Sequence, residues 1–416
     1  MNNNIFDEEI VIPKELNIDR IRKTVTKRAA KRKAYVYTRN AGIVLAASFA
    51  AFLLTAKFSP KVAAIAADLP LIGHFFDDIT LNKGYIDALN NDYAVDVHEI
   101  KKTEDFDLEL AYVMADQQNI LLFFDIDYKN DEIKSHSLSI EPKSIIDKNT
   151  EKEIERDSAT LPALSDDKEY AVATVSIGGK EYSSELTVNI DVHDFTTDKS
   201  TSLSYDVSLP ELPSPKEYNL NRTYVAKGQS FTVEKITLYP TTALVDVKYD
   251  KNNSMLVKSI DFILKNNTGD SWKNSCSGVN TYYKEDSARY VIDGGYYSST
   301  DELSLEVGNI SLLPKDKEMV TYNFTTNTFT DETGTLDLLD SYNEDGVVYF
   351  KLKTGEQAQF FSCFYDADGE TDFNYSIGLS DNYSSIKPAI LEGGIAKFIR
   401  SYPEYVESVN ASIGLK

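Results

Sequence analysis

The four histidines and two cysteines, the side chains most specific for metal or nucleophilic chemistry, are scattered along 416 residues. His74, His98, His136 and His193 have no partner at metal-ligand spacing. His98-Glu99 begins like the zinc-protease pattern HExxH, but position 102 is Lys, so that pattern is broken. Cys276 and Cys363 form no CxxC, which removes zinc-ribbon and thioredoxin-like chemistry. Whether the two thiols are bridged is open from sequence. Neither a GxSxG elbow nor a phosphate-cradling glycine loop is present. Asp366-Ala-Asp-Gly-Glu-Thr-Asp372 spaces oxygen ligands around a glycine, yet it lacks the distal Glu of a calcium loop and reads as a hairpin turn. Carboxylate pairs say little in a chain with 66 acids. No enzyme, cofactor or metal site is expected.

The strongest signal is positional. Ala41–Ala56 is one uncharged apolar run; the 40 residues before it hold ten Lys or Arg against five Asp or Glu. The whole chain carries −23, so the part after the run is strongly acidic. A charge step of this kind orients a single-pass membrane protein with its basic side in the cytoplasm. Sixteen residues span about 24 Å against about 30 Å of hydrocarbon, and Arg39 and Lys57 can extend the span by snorkelling. A cleaved signal peptide is the competing reading. The long leader and the lack of a small-x-small site just after the run favour an uncleaved anchor in a bacterial cell membrane.

Residues 1–40 are too few to build a core. Pro13 opens a helical pattern in which Leu16, Ile21 and Val25, with Ile10 and Ile12 before them, form an apolar stripe suited to a partner's groove. Lys27, Arg28, Lys31, Arg32, Lys33 and Arg39 form a membrane-flanking basic group that anionic lipid attracts. The acidic remainder argues against nucleic acid as a partner. Residues 58–80 read as a juxtamembrane helix and linker, in which Leu71, Ile72, Phe75 and Phe76 either lie in the outer interface or cover the first β-domain.

Beyond Tyr93 the pattern is period two, as in LTVNIDV, ALVDVKY and LSLEV, with turns at Gly178-Gly179, Asp293-Gly294-Gly295 and Asp345-Gly346. The expected fold is mainly β: a cytoplasmic helix, one transmembrane helix over 41–57, then two or three extracellular antiparallel immunoglobulin-like sandwiches. The first occupies 81–207, a proline-rich linker 208–218, the second 219–330. Residues 331–416 are a third module or the rest of the second, with a helix over Ile395–Val409. Phe231–Asp250 echoes Tyr93–Tyr128, as a duplication would.

The junction after the run (Pro60, Val62, Ala63, Leu69, Pro70, Ile72, Gly73, Phe76) resembles a bacterial single-pass family with an anti-sigma-factor-like domain of unknown function. The resemblance implies an inner segment that holds a sigma factor and outer β-modules that sense the envelope. Zinc-type members carry a His…CxxC cluster inside, and residues 1–40 contain neither His nor Cys. The alternative function is a surface-anchored adhesive or structural protein, in which the inner segment only fixes topology.

Overall fold

The computed structural model describes Phe75, Ile79 and residues 82–415 except 130–132, 134–137, 165–168, 276–280, 299–302, 332–333, 336–337, 353–360, 366–370, 373–377, 381–382, 389 and 401–402. The inner segment, the transmembrane helix expected over 41–57 and all of the juxtamembrane stretch 58–80 but Phe75 and Ile79 therefore lie outside the described residues. Among those described, no helix is long and apolar enough to cross a membrane.

After helix α1 (Lys83–Leu89) the chain runs through ten strands: β1 (Val95–Lys102), β2 (Phe106–Ala115), β3 (Asn119–Tyr128), β4 (Leu138–Asp147), β5 (Lys152–Glu153), β6 (Ser158–Ala159), β7 (Ala163–Leu164), β8 (Tyr170–Ser176), β9 (Glu185–Asp194) and β10 (Lys199–Ser208). They form two sheets, β1-β2-β3-β8-β6 and β10-β9-β4-β5, with β7 pairing β4. Alternation turns Leu108, Leu110, Leu122 and Phe124 of one sheet toward Ile140, Val188, Ile190 and Val192 of the other, making one core. Tyr205 crosses that core and donates its hydroxyl to the Leu108 carbonyl at 2.9 Å, so its burial leaves no polar group unpaired.

The second sandwich uses β11 (Lys216–Ala226), β12 (Gln229–Leu238), β13 (Ala243–Tyr249), β14 (Met255–Lys265), β15 (Ser271–Lys273), β16 (Thr281–Lys284), β17 (Ser287–Ile292) and β18 (Ser304–Pro314). The chain then leaves it for a third, smaller sandwich. This comprises β19 (Met319–Asn323), β20 (Thr328–Asp331), β21 (Gly334–Thr335), β22 (Leu338–Glu344), β23 (Val347–Leu352), β24 (Phe361–Tyr365), β25 (Thr371–Asp372), β26 (Gly378–Ser380), β27 (Tyr383–Ile386) and β28 (Ile395–Arg400). Val320, Tyr322, Phe329, Val348, Phe350 and Phe398 fill its core. The final strand, β29 (Tyr405–Gly414), returns to pair β18.

The third sandwich begins earlier than 331, at Met319, and β29 completes the second. The helix expected over 395–409 is corrected to two strands. Ala396, Phe398 and Arg400 are buried on one side of β28, and β19 and β18 offer the backbone partners that a helix would forgo.

The first two sandwiches follow the same path. Sheet order β1-β2-β3-β8-β6 matches β11-β12-β13-β17-β16, and β10-β9-β4-β5 matches β29-β18-β14-β15. Bulges recur too: Asp96/Glu99 and Asn219/Arg222 on the first strand pair, Leu110/Tyr112 and Val233/Lys235 on the second. His98 and Asn221 take positive φ in the first-strand bulges (52° and 47°). The duplication seen in the sequence is thus present in the topology, with Phe231–Asp250 corresponding to β2-β3 rather than to a segment starting at Tyr93. The third sandwich is inserted between β18 and β29, where the first has only the short β9-β10 hairpin.

Turn chemistry follows the glycines in part. Asp345 and Gly346 (φ 50° and 80°) close the β22-β23 hairpin. β24 pairs with β25 through Phe364↔Asp372, which fits a hairpin around the Asp-rich stretch; residues 366–370 lie outside the described set. Cys363 is in β24, and Cys276 lies outside the described residues.

Candidate functional site at the joint between two sandwiches

Phe75, the first described residue after the apolar run, is built into the β-structure. Phe75 is fully buried, with its ring edge-on to Tyr112 (6.4 Å), Phe123 (5.4 Å) and Tyr170 (5.6 Å). None of those three belongs to the core between the sheets. They lie on the outward face of the first sheet, which explains why β2 and β3 read as near-continuous apolar runs rather than alternating ones. Of the two fates open to the apolar junction residues, Phe75 takes the second and covers the first β-domain.

Helix α1 is short. Asn82 caps it by accepting the Tyr85 N–H at 3.2 Å, and Ile86, Ala88 and Leu89 are buried. Tyr85 reaches Thr174 of the first sandwich, and Asp87, Lys83 and Gly84 contact the second. Asp87 accepts the Trp272 indole N–H at 2.6 Å. Lys83 sits 4.0 Å above the Trp272 ring and 3.4 Å from Asp270. Burial pushes the Asp87 carboxyl above the usual range, and the indole bond opposes it. Gly84 is the close approach: a Cβ there would lie 2.2 Å from the Thr241 carbonyl oxygen and 2.9 Å from Gly294 N. Gly84→Ala is expected to force the helix away at a cost of about 1–3 kcal/mol. Thermal unfolding checks this, with a red-shifted Trp272 emission as the local sign.

Beneath the helix, loops of the two sandwiches meet. Asp116, fully buried at the β2-β3 turn, accepts four hydrogen bonds. Gln118 N (2.8 Å) and Asn119 N (2.9 Å) come from its own turn; Thr241 N (2.8 Å) and Thr241 Oγ1 (2.7 Å) come from the β12-β13 turn. Asn119 Nδ2 donates to Thr241 Oγ1 at 3.0 Å, closing the network. Burial raises the Asp116 carboxyl against these four donors. Around it, Tyr182 donates to the Asp116 carbonyl (2.8 Å), and Gln118 and Ser176 meet the Tyr282 hydroxyl (3.3 and 2.9 Å).

The proline-rich connection belongs to the same joint. β11 already starts at Lys216, so the linker is shorter than 208–218. It is docked along its length: Leu209 is buried, the Pro213 carbonyl accepts Gln117 Nε2 (3.2 Å), and the Ser214 carbonyl accepts the Tyr296 hydroxyl (3.1 Å). Lys216 returns the contact, donating to the Tyr296 carbonyl at 2.6 Å.

The residues singled out from sequence are not brought together here. Ile10, Ile12, Leu16, Ile21, Val25, the basic group from Lys27 to Arg39, and Pro60, Val62, Leu69, Pro70, Ile72, Gly73 and Phe76 all lie outside the described residues. His98 meets Glu109 at 2.7 Å and His193 meets Ser200 at 3.0 Å. Among the described residues no group of three or more His, Cys, Asp or Glu could hold a metal ion. Sequence reasoning missed Asp116, Gly84 and Trp272. The one usable signal was that Trp272 is the sole tryptophan and sits beside the turn-rich stretch Asn266-Asn267-Thr268-Gly269-Asp270.

The fold is therefore that of a mainly β protein of successive antiparallel sandwiches, two of them repeats of one plan. The model of a domain of unknown function (DUF4179) matches residues 33–127, which include the apolar run, Phe75, α1, Asp116 and most of β1-β3. No curated protein matches the chain. Among solved structures, the chain is similar to one described as the conserved domain protein from Bacillus anthracis. The identity is 11%, covering 58% of this chain and 86% of that one, with a TM-score of 0.37.

Proposed function

We propose that the chain is a single-pass bacterial membrane regulator. Residues 1–33 bind a cytoplasmic partner, a sigma factor by the resemblance of the junction, and the β-sandwiches outside sense the state of the envelope. The observation that carries this reading is the construction of the joint. Phe75 is packed on the first sandwich, and α1, which begins eight residues later, is packed on the second through Gly84 and Asp87. A free tether would transmit nothing. A segment shared by both sandwiches feels any change in how they pack and passes it to the chain entering the anchor.

The test uses residues 1–40 as bait in cell extract. A sigma factor should be recovered, and exchanging Ile10, Leu16, Ile21 and Val25 for Ser should abolish recovery. An empty bait, together with unchanged transcription on deleting the gene, contradicts the proposal. Protease treatment of intact cells addresses orientation separately: residues after 82 should be digested while the basic segment survives.

One observation favours the adhesive alternative. Tyr342 and Tyr349 stack on the outer face of the third sandwich with centroids 4.7 Å apart and planes 10° apart, and Tyr342 is 39% exposed. Exposed aromatic faces bind rings and peptides. An adhesin would be indifferent to the four serine exchanges, so the same bait separates the two readings.

A further inference from the structure

The Asp293-Gly294 turn lies where α1, Trp272 and the end of β17 converge. Gly294 has φ +92°, and a Cβ on it would lie 2.8 Å from the Gly84 Cα and 2.9 Å from the Trp272 ring. Only a residue without a side chain lets three elements approach so closely. The residue immediately before it is a carboxylic acid with 7% of its surface exposed. Among the described residues one oxygen, Oδ1, is buried without a hydrogen-bond partner, and the side chain's hydrogen bond goes to Ser275. A buried carboxylate with an orphaned oxygen is costly, whereas the protonated acid has a donor of its own and one charge fewer to solvate.

The groups around it do not relieve that cost. From α1 the Tyr85 phenol faces both Asp293 and Asp116, and burial followed by those two acids raises it. Lys83 of α1 is engaged with Asp270 and the Trp272 ring, and Asp87 with the indole N–H. From β15 the Lys273 carbonyl accepts the Asp293 backbone N–H at 2.9 Å, which leaves the carboxyl untouched. From the β2-β3 turn Asp116 adds a second acid whose four donors are all spent on itself. From β16, Tyr282 is committed to Ser176 and Gln118.

We propose that Asp293 is a proton-controlled latch on the joint: protonated, the Asp293-Gly294 turn stays packed against α1 and Trp272; ionised, it turns toward water and releases α1 from the second sandwich. Burial pushes this carboxyl up to about 7, with the Ser275 bond opposing. The folded joint therefore keeps a proton that the unfolded chain gives up near pH 4. The latch is firmest in acid, weakens as pH climbs from the ordinary carboxylate range, and is fully weakened above about pH 7. Asp87 and Asp116 shift in the same direction, and Asp270, held low, titrates below this window. The latch stands whether or not residues 1–40 bind a partner.

Trp272 is the only tryptophan, so emission excited selectively at the indole, in the full chain in detergent micelles, reads this joint alone. Between about pH 5 and about pH 8.5 the emission should move to the red with a midpoint near 7, and amide exchange in α1 should accelerate about tenfold or more beyond the intrinsic pH effect. Asp293→Asn should hold the acid-form emission throughout, while Asp87→Asn should change the intensity and keep the midpoint. A flat titration in the unaltered chain overturns the proposal even if Asp293→Asn does not fold. So does an unchanged midpoint in Asp293→Asn, or a midpoint that disappears in Asp87→Asn.

Discussion

Asp116→Ala is expected to destabilise the protein by about 3–5 kcal/mol and to split its unfolding into separate steps. The substitution strands three buried backbone N–H groups, of Gln118, Asn119 and Thr241, plus the Thr241 hydroxyl. Each unsatisfied buried group costs about 1–3 kcal/mol, and water entering the space left by the carboxylate recovers part of it. Two of the four bonds cross from one sandwich to the other, so the loss falls on their coupling as well as on the turn. Denaturant unfolding followed by Trp272 fluorescence and by circular dichroism checks this. The two probes should coincide in the unaltered chain over these sandwiches and separate in Asp116→Ala. Asp116→Asn should sit between them, since its amide oxygen still serves one turn while its NH2 faces the Thr241 N–H.

Phe75→Ala is the second large effect, expected at about 3–5 kcal/mol for loss of a fully buried aromatic side chain. Its consequence differs from that of Asp116→Ala. The rings of Tyr112, Phe123 and Tyr170 lose their cover, and the chain around position 75 loses its hold on the first sheet while the core between the sheets is untouched. Limited proteolysis should show a new cut close to position 75, with the sandwich fragment otherwise intact. Phe75→Leu should restore most of the protection, because area is retained although the edge-on ring geometry is lost.

Why some of this was legible in the chain and some was not follows from where the partners lie. Period two is a local property, so Leu186, Val188, Ile190 and Val192 announce β9 without any knowledge of β4. The same holds for the Asp345-Gly346 hairpin and for the repeat of strand, turn and strand in the first two sandwiches. β29 was different. Its place is set by pairing with β18, Leu312 against Tyr405, across the whole of the inserted third sandwich. Nothing local distinguishes it from a strand of that insert, and Ile395–Val409 carries enough well-spaced apolar residues to pass for a helix.

The joint was hidden for a related reason. Asp116 and Thr241 are 125 residues apart, and Asp87 and Trp272 are 185 apart. Read locally, Asp116 is one acid among 66 in a polar turn, and Gly84 looks like a defect in a weak helix. Only the approach of Thr241 and Gly294 turns that glycine into a requirement. The linker behaved similarly: three prolines announce stiffness, but the docking of Pro213 and Ser214 depends on Gln117 and Tyr296, far away in the chain.

The central claim is that α1 and the Asp116 network hold the first two sandwiches as one body. Distance measurement between spin labels at exposed Ser204 and Lys248, with Cys276 and Cys363 replaced by Ser, reads it directly. In mildly acidic buffer the full chain should give a single narrow distance distribution that broadens in Asp116→Ala. A distribution already broad before that substitution, and unchanged by it, would show two sandwiches on a loose tether and contradict the account.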